Sequence, residues 1–223
     1  MHRTFPAMHS TATPITAAMK IRVLLLLLSS LALSAPLSRA AIVYSGIQNI
    51  AVPLDLNGVY VNPFTKATAA TQPADWNTAP WINPFFGGVD IANDDLLRPA
   101  VTGATQILKL TFGTVVSSGS TFTAARSGSA AHVGAGVQQF QLGTTGYLGF
   151  VMQTAVAAPL FYGWMQVVIQ NAGPGTIVDW AYQDSAGTLI TVGAIPEPAT
   201  ALLTLAGSAL LALGRRRRCA KIS

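Results

Sequence analysis

Apolar residues fall into three regimes along this chain. Residues 23–33 and 199–213 are almost continuous apolar runs. Between them, short groups of β-branched and aromatic residues are separated by Gly, Pro, Asn, Ser and Thr, and no long stretch repeats at the helical period. This predicts short strands at 42–44, 58–61, 107–112, 147–153, 162–170, 176–182 and 189–192. The clearest pair is 162–170 with 176–182, joined by Asn171-Ala172-Gly173-Pro174-Gly175, a strong turn sequence. Met165, Val167 and Ile169 share one side of the first strand, with Trp164, Gln166, Val168 and Gln170 on the other. In the second, Val178, Trp180 and Tyr182 alternate with Ile177, Asp179 and Ala181. Such alternation predicts antiparallel strands with one buried face. The fold expected is all-β, an antiparallel two-sheet sandwich of jelly-roll-like form, over residues 41–193. Residues 62–100, with several prolines and no long apolar run, read as long loops with short edge strands.

The two apolar runs have different surroundings. Met19-Lys20-Ile21-Arg22 is a basic lead-in to the run 23–33, and Ser38 and Ala40 place small residues before a cut between Ala40 and Ala41. Residues 19–40 therefore read as a signal peptide, which takes the chain through the general secretion machinery to signal peptidase. Residues 1–18 show no organised pattern. They are either a start assigned too early, with Met19 the true one, or an extended n-region.

The second run follows Pro196-Glu197-Pro198 and precedes Arg215, Arg216, Arg217 and Arg218. As a helix its roughly 15 residues span about 23 Å, short for a hydrocarbon core of about 30 Å. The arginines can snorkel and hold the C-terminal end on the cytoplasmic side. The prolines keep the preceding peptide extended. A weak membrane anchor with an accessible peptide at the outer surface suits a protease or transpeptidase.

The proline-flanked glutamate, the Ala/Leu/Gly-rich run and the terminal arginines together resemble the PEP-CTERM sorting signal, here over 194–218. The resemblance implies an exosortase as processing partner, an inner-membrane-anchored intermediate, and a final place at the cell surface or in the extracellular matrix of a Gram-negative bacterium, in association with exopolysaccharide or biofilm. The body is similar to that of many PEP-CTERM proteins in Gly146-Tyr147-Leu148-Gly149-Phe150, Tyr162-Gly163-Trp164-Met165-Gln166-Val167 and Val178-Asp179-Trp180-Ala181-Tyr182. These stretches speak to fold and location rather than chemistry.

Removing both ends changes the charge. The whole chain carries a formal +5, but residues 41–193 hold four Lys and Arg against seven Asp, a balance of −3. The basicity belongs to the membrane ends, so a nucleic-acid partner is not expected. The single cysteine, Cys219, lies past the arginines, so the exported part has no disulfide.

Catalysis is not expected. Residues 41–193 contain one histidine, His132, in a small-residue stretch that reads as an exposed loop, and no GxSxG elbow. They contain no glutamate, and Asp179, flanked by Val178 and Trp180, is the best candidate for a buried carboxylate. No cofactor is expected. Asp90, Asn93, Asp94 and Asp95 follow Gly87-Gly88 as weak calcium candidates, with a solvated acidic turn as the alternative. Trp76, Trp81, Phe85 and Phe86 lie among Asp75, Asn77 and Asn83. Exposed, such rings stack on pyranose faces; buried, they cap the core. The expected role is a non-enzymatic structural component of an exopolysaccharide matrix, with a carbohydrate-binding module as the alternative and a glycan hydrolase as the third reading.

Overall fold

The computed structural model describes residues 40–103, 106–123 and 132–196, all within one compact unit that begins at Ala40. Residues 1–39, which hold all but the last residue of the segment read as a signal peptide, and all of the C-terminal tail beyond Pro196 lie outside the described residues. In chain order the strands are β1 (Ile42–Tyr44), β2 (Ile50–Val52), β3 (Tyr60–Asn62), β4 (Ala67–Ala69), β5 (Ile82–Phe85), β6 (Asp90–Asn93), β7 (Leu97–Pro99) and β8 (Val101–Thr102). They continue as β9 (Gln106–Ile107), β10 (Lys109–Leu110), β11 (Val115–Val116), β12 (Thr145–Met152), β13 (Phe161–Val168), β14 (Gly175–Gln183) and β15 (Ile190–Thr191). Every strand pairing is antiparallel, and among the described residues the only helical element is a short 3-10 turn at Phe86–Gly88.

Three long strands, β12, β13 and β14, form the centre of the main sheet. Each outer side of this trio is made by two short strands in succession. β1 and β2 both pair with β14, and β7 and β10 both pair with β12. A smaller sheet, ordered β4-β3-β5-β6, supplies Val61, Ile82 and Ile91 to a core shared with Leu148, Phe150, Met152, Met165, Val167, Ile177, Trp180 and Tyr182 of the main sheet. β3 falls on the strand expected at 58–61, and the segment expected to be mostly loops contains the other three strands of this sheet, β4, β5 and β6. Pro80 and Pro84 and the polar Asn83, Asp90 and Asn93 hide its strands, because proline and asparagine are poor strand signals although the backbone pairs regularly around them.

The central hairpin has two covered faces rather than one. Opposite the smaller sheet, the β11–β15 ribbon lies over Tyr162, Trp164, Val151 and Ala181, making a second core with Leu110, Val116, Ile190 and Val192. Tyr162 and Trp164 are therefore interior on the second face of the hairpin, for which alternation alone predicted no cover. The phase of β14 also differs from simple alternation. The register with β13 steps from Gln166↔Asp179 to Val167↔Ile177, so Val178 is an extra, bulged residue. The bulge returns Ile177 to the side of Trp180 and Tyr182, and all three enter the first core.

Two glycines in the central strands make room for large side chains. A Cβ on Gly163 would lie 2.2 Å from Phe150 Cζ, and one on Gly149 would lie 2.7 Å from Leu110 Cδ1. Phe150 and Gly163 are direct cross-strand partners, and the ring occupies the space that the glycine leaves. At Gly149 that space is taken by Leu110 of β10 and Val116 of β11.

Candidate functional site

Trp76 and Trp81 are buried, each 6% exposed. Trp76 meets the edge of Tyr60 at 5.2 Å between ring centroids, and Trp81 Nε1 donates to Asp75 Oδ1 at 3.0 Å. Both rings belong to the packing around the smaller sheet and present no open face. Phe85 is half-buried, and Phe86, 38% exposed, is the accessible member of the four.

The acidic group divides in the same way. Asp90 lies in β6 opposite Phe85, and Asp95 is exposed. Asn93 and Asp94 turn inward. Asp94 Oδ1 accepts from the backbone N–H groups of Leu96 and Leu97 at 2.9 and 2.8 Å, and Asn93 Nδ2 donates to the carbonyls of Asp94 and Leu97. Asn93 Oδ1 and Asp94 Oδ2 are buried with no hydrogen-bond partner. Among the described residues no group of three or more His, Cys, Asp or Glu side chains converges as metal ligands.

Burial pushes the Asp94 carboxyl up to about 6, against the two backbone donors that favour its charge, and the neighbouring Asp95 adds to the rise. The folded state therefore keeps a proton that the unfolded chain releases near pH 4. The associated stability is present below that pH and is lost as pH climbs through about 6. Asp94→Asn keeps an acceptor for the two N–H groups and cannot ionise. The variant is expected to match or exceed wild type at pH 7, by on the order of 1 kcal/mol. It should also lose much of the decline in urea midpoint between pH 4 and 6.5. An unchanged decline would mean that Asp94 ionises freely.

His132 is fully buried rather than exposed, because its ring packs edge-on against Phe140 at 5.8 Å and its Nε2 lies 3.2 Å from the Gly88 carbonyl.

The main sheet carries a polar and aromatic cluster that sequence spacing only half reveals. Tyr147, Gln166 and Asp179 are register partners across β12, β13 and β14, and the next row holds Trp164, Ala181 and Tyr44. Tyr44 Oη donates to Asp179 Oδ2 at 2.6 Å. The Trp164 ring has Tyr44 at 6.4 Å and Tyr147 edge-on at 5.7 Å. Asp179 is 7% exposed; burial raises its carboxyl and the Tyr44 bond opposes the rise. Tyr44 is pushed up to about 12, first by the bond it gives Asp179, then by burial and the nearby charge. Tyr147 is raised by burial and then by Asp179. Both tyrosines are half-buried. Beside them, Trp164 Nε1 and Asp179 Oδ1 are a buried donor and a buried acceptor without partners. A hydroxyl group both gives and takes a hydrogen bond, so it has the chemistry to meet either need. Asp179 stood out in the sequence as a strand carboxylate between apolar neighbours. Tyr44, far away in sequence, gave no sign of being its partner.

The chain leaves the domain through β15. Val192 is fully buried, donates to the Thr114 carbonyl at 2.8 Å, and accepts from Gly113 N at 3.0 Å. Gly193 has a φ of 80°, and a Cβ there would strike the Phe112 ring at 2.3 Å, so glycine suits this turn in both conformation and space. Ile195 and Pro196 are exposed. Residues 194–218 match a protein-family model, the PEP-CTERM protein-sorting motif. The chain carries a PEP-CTERM sorting motif. It is an exported surface protein handled by exosortase. No curated protein and no solved structure matches the chain. The PEP-CTERM match begins at Ala194, two residues after the buried Val192 that follows β15, so the domain and its sorting motif adjoin with almost no linker. Among the described residues no helix is long and apolar enough to cross a membrane. Glu197, Pro198, the apolar run 199–213 and the four arginines of the motif lie outside the described residues.

Proposed function

We propose that the exported β domain, a jelly-roll-like sandwich, is a non-enzymatic structural component of an exopolysaccharide matrix. In this reading a signal peptide cut between Ala40 and Ala41 exports the chain. The tail then holds it in the inner membrane of a Gram-negative cell until exosortase acts near Pro196-Glu197-Pro198. The observation that carries this reading is the PEP-CTERM match at 194–218. A local contact supports the cut. Ala41 is exposed, and its N–H donates to Asp184 Oδ1 at 2.8 Å. Cleavage would turn that N–H into an ammonium already seated on a carboxylate.

A carbohydrate-binding role is the second reading. The observation that favours it is the Tyr44, Tyr147, Trp164 and Asp179 cluster with its unpartnered donor and acceptor. Co-sedimentation of residues 41–193 with exopolysaccharide from the host separates the two. Weak, multivalent association that free sugars do not displace is expected of a structural component. Saturable binding that a free sugar competes away, and that Tyr147→Ala abolishes, would overturn it in favour of carbohydrate binding. Adding calcium to parallel samples tests whether Asp90, Asn93, Asp94 and Asp95 contribute to either outcome. Release of reducing ends from the polymer would overturn the non-enzymatic reading altogether.

A further inference from the structure

Among the described residues, the outer side of the β11–β15 ribbon is mostly apolar and uncovered. Val116 and Ile190 are register partners and both are buried, so the adjoining partners Val115 and Thr191 face outward. Val115 is 49% exposed, and Leu189, two positions from Thr191 and on the same side, is 52% exposed. Phe112, 73% exposed, stands over Gly193 at the chain exit, and Ile195 just beyond is 51% exposed. Residues 110–123 and 185–196, which build this end of the domain, contain no charged side chain. The charges that flank these stretches along the chain are Lys109 and Arg126 for the first, and Asp184 and Glu197 for the second.

The position of this patch says what covers it. Val192 is fixed by two backbone hydrogen bonds, and five residues, 194–198, separate Gly193 from the first residue of the apolar run at Ala199. Fully extended, that connection reaches at most about 20 Å. A domain tethered so closely to a bilayer through Gly193 must keep the Phe112 end near the lipid headgroups. Exposed aromatic and aliphatic side chains are suited to that boundary.

We propose that Phe112, Val115, Leu189 and Ile195 form a membrane-docking face that rests in the outer surface of the bilayer holding the tail, fixing the domain's orientation before processing. The inference depends on the reading of 199–218 as a membrane anchor. The face has no cation to attract anionic lipid, so docking relies on the tether's high effective concentration, and it ends when the tail is cut away.

The test uses the chain from Ala41 to Ser223, reconstituted into vesicles of phosphatidylethanolamine and phosphatidylglycerol. Cys219→Ser removes the native thiol, and a single cysteine introduced by Thr191→Cys carries an environment-sensitive fluorophore. A second preparation carries the same label through Thr68→Cys on exposed β4, in the sheet that packs on the opposite face of the main sheet. Doxyl-labelled lipid should quench the label at 191 several-fold more than that at 68. Phe112→Ser with Val115→Ser should bring the two labels to the same level. Equal quenching at both positions, in protein that floats with the vesicles, would overturn docking while leaving the anchor reading intact. Failure to float would overturn the anchor reading and docking with it. A difference between the labels that disappears on diluting the protein in excess lipid would assign the face to a second copy of this chain and overturn lipid docking.

Discussion

Trp180→Ala should destabilise the exported domain by about 3–5 kcal/mol, a large fraction of the roughly 5–15 kcal/mol that holds an ordinary domain folded. Trp180 is fully buried on β14 in the core between the two sheets. Its indole Nε1 donates to the Pro63 carbonyl at 2.9 Å, just after β3, so one side chain ties the main sheet to the smaller one. Its backbone is held as well. Trp180 N donates to Ser45 Oγ at 2.9 Å, and the Trp180 carbonyl accepts from Ser45 N. Alanine would leave a cavity and an unpaired carbonyl in one step. Trp180→Phe, which fills most of the volume but lacks the N–H, should cost about 1–3 kcal/mol. Urea unfolding of residues 41–193 followed by far-UV circular dichroism measures both. A loss below about 1 kcal/mol for Trp180→Ala would show that the sheets are joined elsewhere.

Deletion of 196–218 should have the largest effect in the cell. The deleted segment holds Pro196, Glu197, Pro198, the apolar run and Arg215 to Arg218, while the last buried residue of the domain, Val192, stays in place. Folding should therefore be unaffected, and nearly all of the protein should pass from the surface fraction into the medium as a soluble form. Immunoblots of cell-associated and medium fractions read this directly. Surface retention equal to wild type would show that the domain, not the PEP-CTERM motif, is the address.

The long central strands were legible in the sequence because alternation and turn residues agree there. The turn Asn171 to Gly175 separates β13 from β14 where the dipeptide chemistry placed it. Ile42–Tyr44 is likewise a strand with the bounds its three apolar residues suggest. In the smaller sheet β3 falls on the strand expected at 58–61, but β4, β5 and β6 were hidden for a physical reason. They are three or four residues long, include Pro84, and β5 and β6 owe their burial to the main sheet they pack against. Local propensity carries little of that information. The same holds for the bulge at Val178, which reverses the phase of β14 through pairing with β13.

Candidate chemistry was less legible than fold. Trp76 and Trp81 sit in a polar, proline-rich neighbourhood that left both exposure and core-capping open, and Asp75 and Tyr60 help to pack them inside. His132 lies among small residues and is nevertheless buried, since Phe140 and the sequence-distant Gly88 close over it. Asp179 was visible alone, but its setting depends on Tyr44, 135 residues away. The sorting motif could be read in full because its information is linear.

The split flanks of the main sheet bear on life in a crowded coat. On one margin, Gly46 at φ 74° and Asn49 at φ 51° interrupt the chain between β1 and β2. On the other, β7 ends at Pro99, and β10 is only two residues long. Neither margin offers a neighbouring molecule a long, straight ladder of free N–H and C=O groups, the template from which cross-β assemblies grow. A protein concentrated at a surface can therefore stand shoulder to shoulder with its own copies without its sheets fusing into fibrils.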